Sequence, residues 1–328
     1  LRAVSIVLAC LALLALDAGR ATAAQLSVVQ TVKAAPGLIS DAALQSDGVL
    51  YLCYPEAGRI AQYGPDGKLL QDIIREAGIA KRFRPTTCVL TSGAKLPSGN
   101  AVANALHQAR GQTPSSGGQA LQVFDEAEHQ VWLIGSDGNT ASGIDLAYPS
   151  PGGALALSRI GQLLRGTDGL LWALLPDRGA LCSFDGKGNL QQQLDLNKLL
   201  PYPAAAYSRA QFLDDGSLYV LDYNQGAVLY RRGTDAAFRR LAVDKTAGLD
   251  GAPAVQDFAA DEQGNVLLLT AADSQPALLL TPSAKGYVTH ALRLPLGRGP
   301  QRLGCRYQSG RFIIWNRDSG VVLLCELQ

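Results

Sequence analysis

The chain writes one pattern several times, and that constrains its fold more than any other feature. DGVLYLCYPEAGRIAQYGPDGKLL (47–70) returns as DGLLWALLPDRGALCSFDGKGNLQ (168–191) and again as DGSLYVLDYNQGAVLYRRG (215–233). Gly48, Gly169, Gly216, Gly264 and Gly310 each follow a polar residue and open an apolar run: VLYLCY, LLWALL, SLYVLD, NVLLLT and RFIIWN. The last four glycines stand 47, 48 and 46 residues apart. A period of that size matches one four-stranded propeller blade. Each unit continues with a second turn and a third strand, as in GRIAQYGPDG and GALCSFDGKG, and then a fourth, as in KLLQDII and NLQQQLDL. Long helical periodicity is absent, which excludes a helical solenoid.

Between Gly48 and Gly169 lie 121 residues, room for one further, enlarged unit. Its turn is expected at Pro97-Ser98-Gly99-Asn100 and its first strand at PTTCVLTS, with the third and fourth at ALQVFDE and QVWLIG. Residues 107–119 and 139–154 are its insertions. Six units result, and the last has only three strands before Gln328. The free strand LSVVQTV (26–32) supplies the fourth if the two ends of the chain pair, which removes the open sheet edges of a linear stack. The sequence therefore predicts an all-β, six-bladed β-propeller closed by its N- and C-terminal strands. A seven-bladed ring, with GIDLAYPSPGGALALS as an extra blade, is the alternative.

Arg2, the apolar run Ala3–Leu16 and the small residues Ala21-Thr22-Ala23 have the form of a secretory signal cut after Ala23. The run is shorter than the ~20 residues of a membrane-spanning helix. The reading is thus a signal peptide at 1–23, a single propeller at 24–328, and a product in the periplasm or secreted. Loss of Arg2, Arg20 and Asp17 takes 29 basic and 28 acidic side chains to 27 and 27. A neutral chain lacks the basic excess of a nucleic-acid partner, and no later stretch is apolar enough to span a membrane. Cys53, Cys88, Cys182, Cys305 and Cys325 remain; four lie in apolar strand-like runs, where a thiol acts as a small buried hydrophobe. Cys305 and Cys325 fall on the first and third strands of one unit, roughly 9–10 Å apart, too far for a disulfide.

The succession of DG turn, aromatic strand, GxI or GxL strand and DGKL turn resembles the six-bladed propellers of the NHL-repeat group and its gluconolactonase and strictosidine-synthase-like relatives. The resemblance spans nearly all of the chain after residue 23. It implies a platform, a ligand carrier or an enzyme. Its gluconolactonase-like branch implies a divalent cation such as calcium at the channel mouth, held by Glu, Asn and Asp. Here Gly37-Leu38-Ile39-Ser40 stands where that Glu would precede the first strand, Asp41 is the nearest carboxylate, and the Ser-Asn-Gly segment that brings the Asn is missing.

The residues themselves offer little chemistry. No GxSxG, HExxH, P-loop or GxGxxG element occurs. His107, His129 and His290 are scattered, and His107 and His129, which flank the insertion, read as exposed loop residues. Asp47, Asp66, Asp137, Asp168 and Asp215 each precede a glycine and suit turn geometry without catalysis. Counting back seven residues from each turn glycine gives Asp41, Ser92, Gln162, Arg209, Asp257 and Leu303. First strands line a propeller's channel, so the five polar residues of this set are the candidate ligand-binding ring. An arginine between acids suits a small polar ligand better than a bare cation. The function expected is a binding platform for a small polar ligand or an envelope protein, with no cofactor; the alternative is a metal-dependent hydrolase or lactonase, with Asp41 and Asp257 at its cation.

Overall fold

The computed structural model describes residues 25–74, 83–91, 120–135, 140–150, 153–157, 159–199, 207–224, 227–231, 237–241, 254–271, 277–284, 286–296 and 301–328. These form six four-stranded antiparallel sheets, the blades of a propeller. Blade 1 holds β2 (Asp41–Leu44), β3 (Leu50–Tyr54), β4 (Arg59–Tyr63) and β5 (Leu69–Ile74). Blade 2 holds β6 (Pro85–Thr91), β7 (Ala120–Asp125), β8 (Gln130–Ile134) and β9 (Thr140–Asp145). Blade 3 runs from β12 (Gln162–Arg165) through β13 (Leu171–Leu175) and β14 (Ala180–Phe184) to β15 (Leu190–Asp195). Blade 4 runs from β16 (Tyr207–Phe212) through β17 (Leu218–Asp222) and β18 (Ala227–Arg231) to β19 (Arg239–Arg240). Blade 5 comprises β20 (Val255–Ala260), β21 (Val266–Thr270), β22 (Ala277–Ser283) and β23 (Gly286–Leu292).

Blade 6 is built from both ends of the chain. β24 (Leu303–Gln308), β25 (Arg311–Asn316) and β26 (Val321–Leu327) are completed by β1 (Leu26–Lys33), which pairs antiparallel to β26 from Leu26 opposite Leu327 to Lys33 opposite Val321. The expected closure is thus present. Cys305 and Cys325 lie on strands separated by β25, and all five described cysteines are free and buried.

Two assignments within blade 2 change. ALQVFD is its second strand, pairing directly with β6, and QVWLI is its third. The fourth strand, Thr140–Asp145, comes from the segment assigned to a loop. Glycine and small polar residues hid its alternation, yet the backbone ladder with β8 needs no apolar side chains. The rest of that segment forms the hairpin β10 (Ala147–Ser150) and β11 (Gly153–Ala156), a two-stranded sheet of its own and not a seventh blade. The turn expected at 97–100, the insertion 107–119 and the signal segment 1–23 lie outside the described residues.

Apolar side chains fill the spaces between neighbouring blades. Ala43, Tyr51, Cys53 and Ile60 of blade 1 pack on Cys88, Leu90, Leu121 and Val123 of blade 2. Trp315, Ile313 and Val322 of blade 6 pack on Ile39, Leu52 and Tyr54 beside blade 1. Both faces of each blade are covered, which is why the alternation in sequence is imperfect. The Asp-Gly turns behave as read: Asp47, Asp168 and Asp215 accept backbone N–H bonds from Val49, Leu170 and Ser217.

Candidate functional site

The six innermost strands place one residue each at the same level of the channel, opposite the penultimate residue of the second strand. The pairs are Asp41 with Cys53, Thr87 with Phe124, Gln162 with Leu174, Arg209 with Leu221, Asp257 with Leu269 and Gly304 with Trp315. An innermost strand has no further strand to pair with, so its channel-side backbone groups need other partners. The ring residues supply them from one blade to the next. Asp41 Oδ2 accepts from Cys88 N at 3.0 Å, Thr87 Oγ1 from Leu163 N at 3.0 Å, Gln162 Oε1 from Ala210 N at 2.8 Å, and Asp257 Oδ2 from Cys305 N at 3.2 Å.

The pattern has two exceptions, and both are resolved by the same residue type. Arg209 has no acceptor and Gly304 no side chain, so the following blades' amides, Phe258 N and Ala42 N, cannot be served from behind. The residues preceding those amides are the two aspartates, and each turns its other oxygen on its own neighbour: Asp257 Oδ1 accepts from Phe258 N at 2.9 Å and Asp41 Oδ1 from Ala42 N at 3.0 Å. Four residues thus serve six amides, four of them across blade junctions and two on the aspartates' own strands.

Asp41 and Asp257 have no solvent exposure, so their charges need partners inside the protein. Asp41 Oδ2 also accepts from Thr87 Oγ1 at 2.7 Å and Arg306 Nη2 at 3.0 Å, and Arg209 Nη1 lies 3.7 Å from Oδ1. Asp257 Oδ2 meets Arg209 Nε at 3.3 Å and Arg317 Nη2 at 3.4 Å. Arg209 therefore bridges the two carboxylates. Burial depresses its pKa, but Asp257 and Asp41 outweigh burial and hold it above the ordinary arginine value. Arg317 goes the other way, lowered by burial and by Arg209 beside it. The nearby thiols are held protonated: that of Cys53 is raised by its hydrogen bond with Cys88 and by burial, and that of Cys305 by burial and by Asp257.

Gly304 is explained by its neighbour. The indole of Trp315 fills the space that a Cβ on Gly304 would need and lies 6.0 Å from Arg209 Cζ.

Of the residues picked from sequence, Asp41, Gln162, Arg209 and Asp257 are in the ring, all buried. Asp41 and Asp257 share Arg209, and Gln162 holds the amide after Arg209. Ser92 lies outside the described residues. Leu303 sits one residue from the ring position, which belongs to Gly304. Thr87, Arg306 and Arg317 were missed. Thr87 follows a β-bulge between Pro85 and Thr87, as Arg209 and Asp257 follow bulges in their own strands. His290 Nε2 lies 3.2 Å from Thr281 Oγ1 on an outer sheet, and His129 is exposed in a turn.

The site does not fit a divalent cation. Such an ion needs several converging oxygen ligands. Here the oxygens of Asp41 and Asp257 face backbone N–H donors and guanidinium groups, with Arg209 between them. Among the described residues there is no group of three His, Cys, Asp or Glu side chains that could hold a metal.

No protein-family description matches the chain, and no curated protein sequence does. Solved structures do. Virginiamycin B lyase from Staphylococcus aureus aligns over 93% of this chain and 100% of its own at TM-score 0.60 and 10% identity. A gluconolactonase from Xanthomonas campestris aligns over 96% and 93% at 0.56 and 14%, and a Bacteroides thetaiotaomicron protein of unknown function over 93% and 76% at 0.58 and 13%. At such identities the likeness is one of fold: this chain shares its overall propeller fold with a lyase and a gluconolactonase.

Proposed function

We propose that the protein is an exported binding platform, working in the periplasm or outside the cell on a small polar ligand or an envelope protein. The observation that carries this reading is the engagement of the ring. The residues nearest the position where a propeller hydrolase would act are buried and hydrogen-bonded to one another, to arginines and to backbone. Among the described ring residues the hydroxyl–carboxylate pair Thr87–Asp41 is taken up by the backbone, Thr87 Oγ1 accepting from Leu163 N and Asp41 Oδ2 from Cys88 N. On this reading Asp41, Gln162, Arg209 and Asp257 hold the six blades in one rigid frame, and a small polar ligand at that mouth meets the ring through Arg317, the least buried of its three arginines at 29% side-chain exposure. A rigid frame with variable loops is what a binding surface needs.

The lyase and lactonase neighbours keep the hydrolase alternative worth a direct test. The mature protein is purified without chelator, its calcium, magnesium, manganese and zinc are measured, and hydrolysis of δ-gluconolactone is followed by pH-stat. Substoichiometric metal and hydrolysis no faster than buffer are expected. One metal per chain with metal-stimulated hydrolysis would replace the platform with the hydrolase.

A further inference from the structure

The other end of the innermost strands has a gap at one junction. In blades 1, 3, 4 and 5 the first and second strands are joined by five residues: 45–49, 166–170, 213–217 and 261–265. In blade 6 only Ser309 and Gly310 join β24 to β25. Both have positive φ, 53° and 76°, as a two-residue hairpin turn requires. Asn-Gly is the usual choice there, and serine is held in a conformation that disfavours its Cβ. It is held by the next blade: Ser309 Oγ donates to Leu44 O at 3.0 Å, and Leu44 N donates to Gln308 Oε1 at 3.0 Å. Three residues fewer in this turn leave blade 1's turn and the outer strand β1 uncovered, and a cavity of about 390 Å³ opens between them.

The cavity's chemistry is mixed in a particular way. Val29 and Pro65 give it aliphatic surface; Gln30, Ser46, Asp47 and Arg311 give it polar groups. Val29 is presented there by a bulge in β1 between Val28 and Gln30. Arg311 Nε donates to Glu326 Oε1 at 2.8 Å, so its charge is already matched. Asp47 uses Oδ1 for Val49 N at 3.1 Å and is exposed, which leaves the local balance against an anion. Carboxylate, amide, hydroxyl and guanidinium groups beside aliphatic surface are complementary to a ring whose hydroxyls both donate and accept and whose C–H face is apolar. The volume lies within the usual range for small-ligand sites.

We infer that the seam between blades 6 and 1 is a binding site for a neutral saccharide, created by the shortened Ser309-Gly310 turn. This goes beyond the platform reading, whose ligand sits at the ring mouth, and adds a second site at the opposite end of the innermost strands. Asp47 and Arg311 orient ligand hydroxyls, and Val29 and Pro65 carry the C–H face. Saturation-transfer NMR on the mature protein tests it with maltose, cellobiose, lactose and chitobiose, and with gluconate as the anionic comparison. At least one neutral disaccharide should receive saturation and gluconate none. Ser46→Phe, which fills the mouth from an exposed position, should abolish the transfer. So should replacing Ser309-Gly310 with the five-residue turn Leu213–Ser217 of blade 4, with circular dichroism and melting confirming that both variants fold. Absence of transfer to every disaccharide, transfer to gluconate alone, or transfer that survives Ser46→Phe each overturns the site. None of those results touches the platform reading, which fails on the separate readout of metal-dependent lactone hydrolysis.

Discussion

The two ends of the innermost strands differ in what they leave unsatisfied. At the ring end, each strand's free backbone amide finds a side chain from the preceding blade or from its own aspartate, and three arginines compensate two buried carboxylates. At the turn end, one hairpin is three residues shorter than four of its counterparts, and a cavity opens beside it. Equal spacing in a repeat protein marks equal structural duty, here the closing of blade to blade. A departure from the repeat marks the place where the surface is free to do something else.

The largest effect should come from breaking the ring at its shared cation. Arg209→Met leaves two buried carboxylates short of a partner, and loss of one member of a buried ion pair costs about 3–5 kcal/mol. An unfolding free energy lower by that amount, read as a reduced urea midpoint with m unchanged, is expected. A loss below about 1 kcal/mol would show that Arg209 is solvated and the ring open. Gly304→Ala should follow, because the new methyl meets the Trp315 indole; overpacking of this kind costs about 1–3 kcal/mol. Restored stability in Gly304→Ala/Trp315→Leu would confirm the collision as the cause.

Thr87→Val tests a single link of the relay. It leaves Leu163 N without its acceptor and Asp41 without its shortest donor, a loss of about 1–3 kcal/mol by thermal or urea unfolding. The thiols sharpen the comparison through pH. Burial pushes Cys182 up to about 11 and Cys325 up to about 12, above the unfolded value of 9.0. The folded chain then keeps protons that the unfolded chain releases. This contribution to stability is intact below pH 9, declines as pH rises from there, and is gone once pH passes the folded values. Residues 24–328 at pH 8 should give almost no colour with a thiol-disulfide reagent when folded, and five equivalents per chain in denaturant. The smallest effect belongs to the seam: Ser46→Phe should change stability by no more than about 0.5 kcal/mol.

Much of this was legible in the sequence, and the failures have physical causes. Turn glycines need positive φ, so Gly48, Gly169, Gly216, Gly264 and Gly310 are dependable markers, each with φ between 76° and 89° in the structure. Counting from them found Asp41, Gln162, Arg209 and Asp257 because a five-residue turn keeps the offset constant. The count missed Gly304 by one residue because blade 6's turn is short, and it missed Thr87 because 28 residues, 92–119, join β6 to β7 where other blades have a compact turn. Arg306 and Arg317 reach the ring through long side chains, from one strand and from a turn, and no periodicity places the tip of an arginine. The shortened turn was visible as SG between Gln308 and Arg311, but its consequence, a cavity against a strand from the other end of the chain, needs the closed ring.

Asp41 and Asp257 are bridged by the protein's own cation, Arg209. A crystal structure of residues 24–328 grown in excess calcium tests this bridge directly. Arg209 is expected between the two carboxylates, with Arg306 on Asp41, Arg317 on Asp257 and no calcium bound to either acid. Calcium coordinated by Asp41 or Asp257, with Arg209 displaced from the channel, would contradict it.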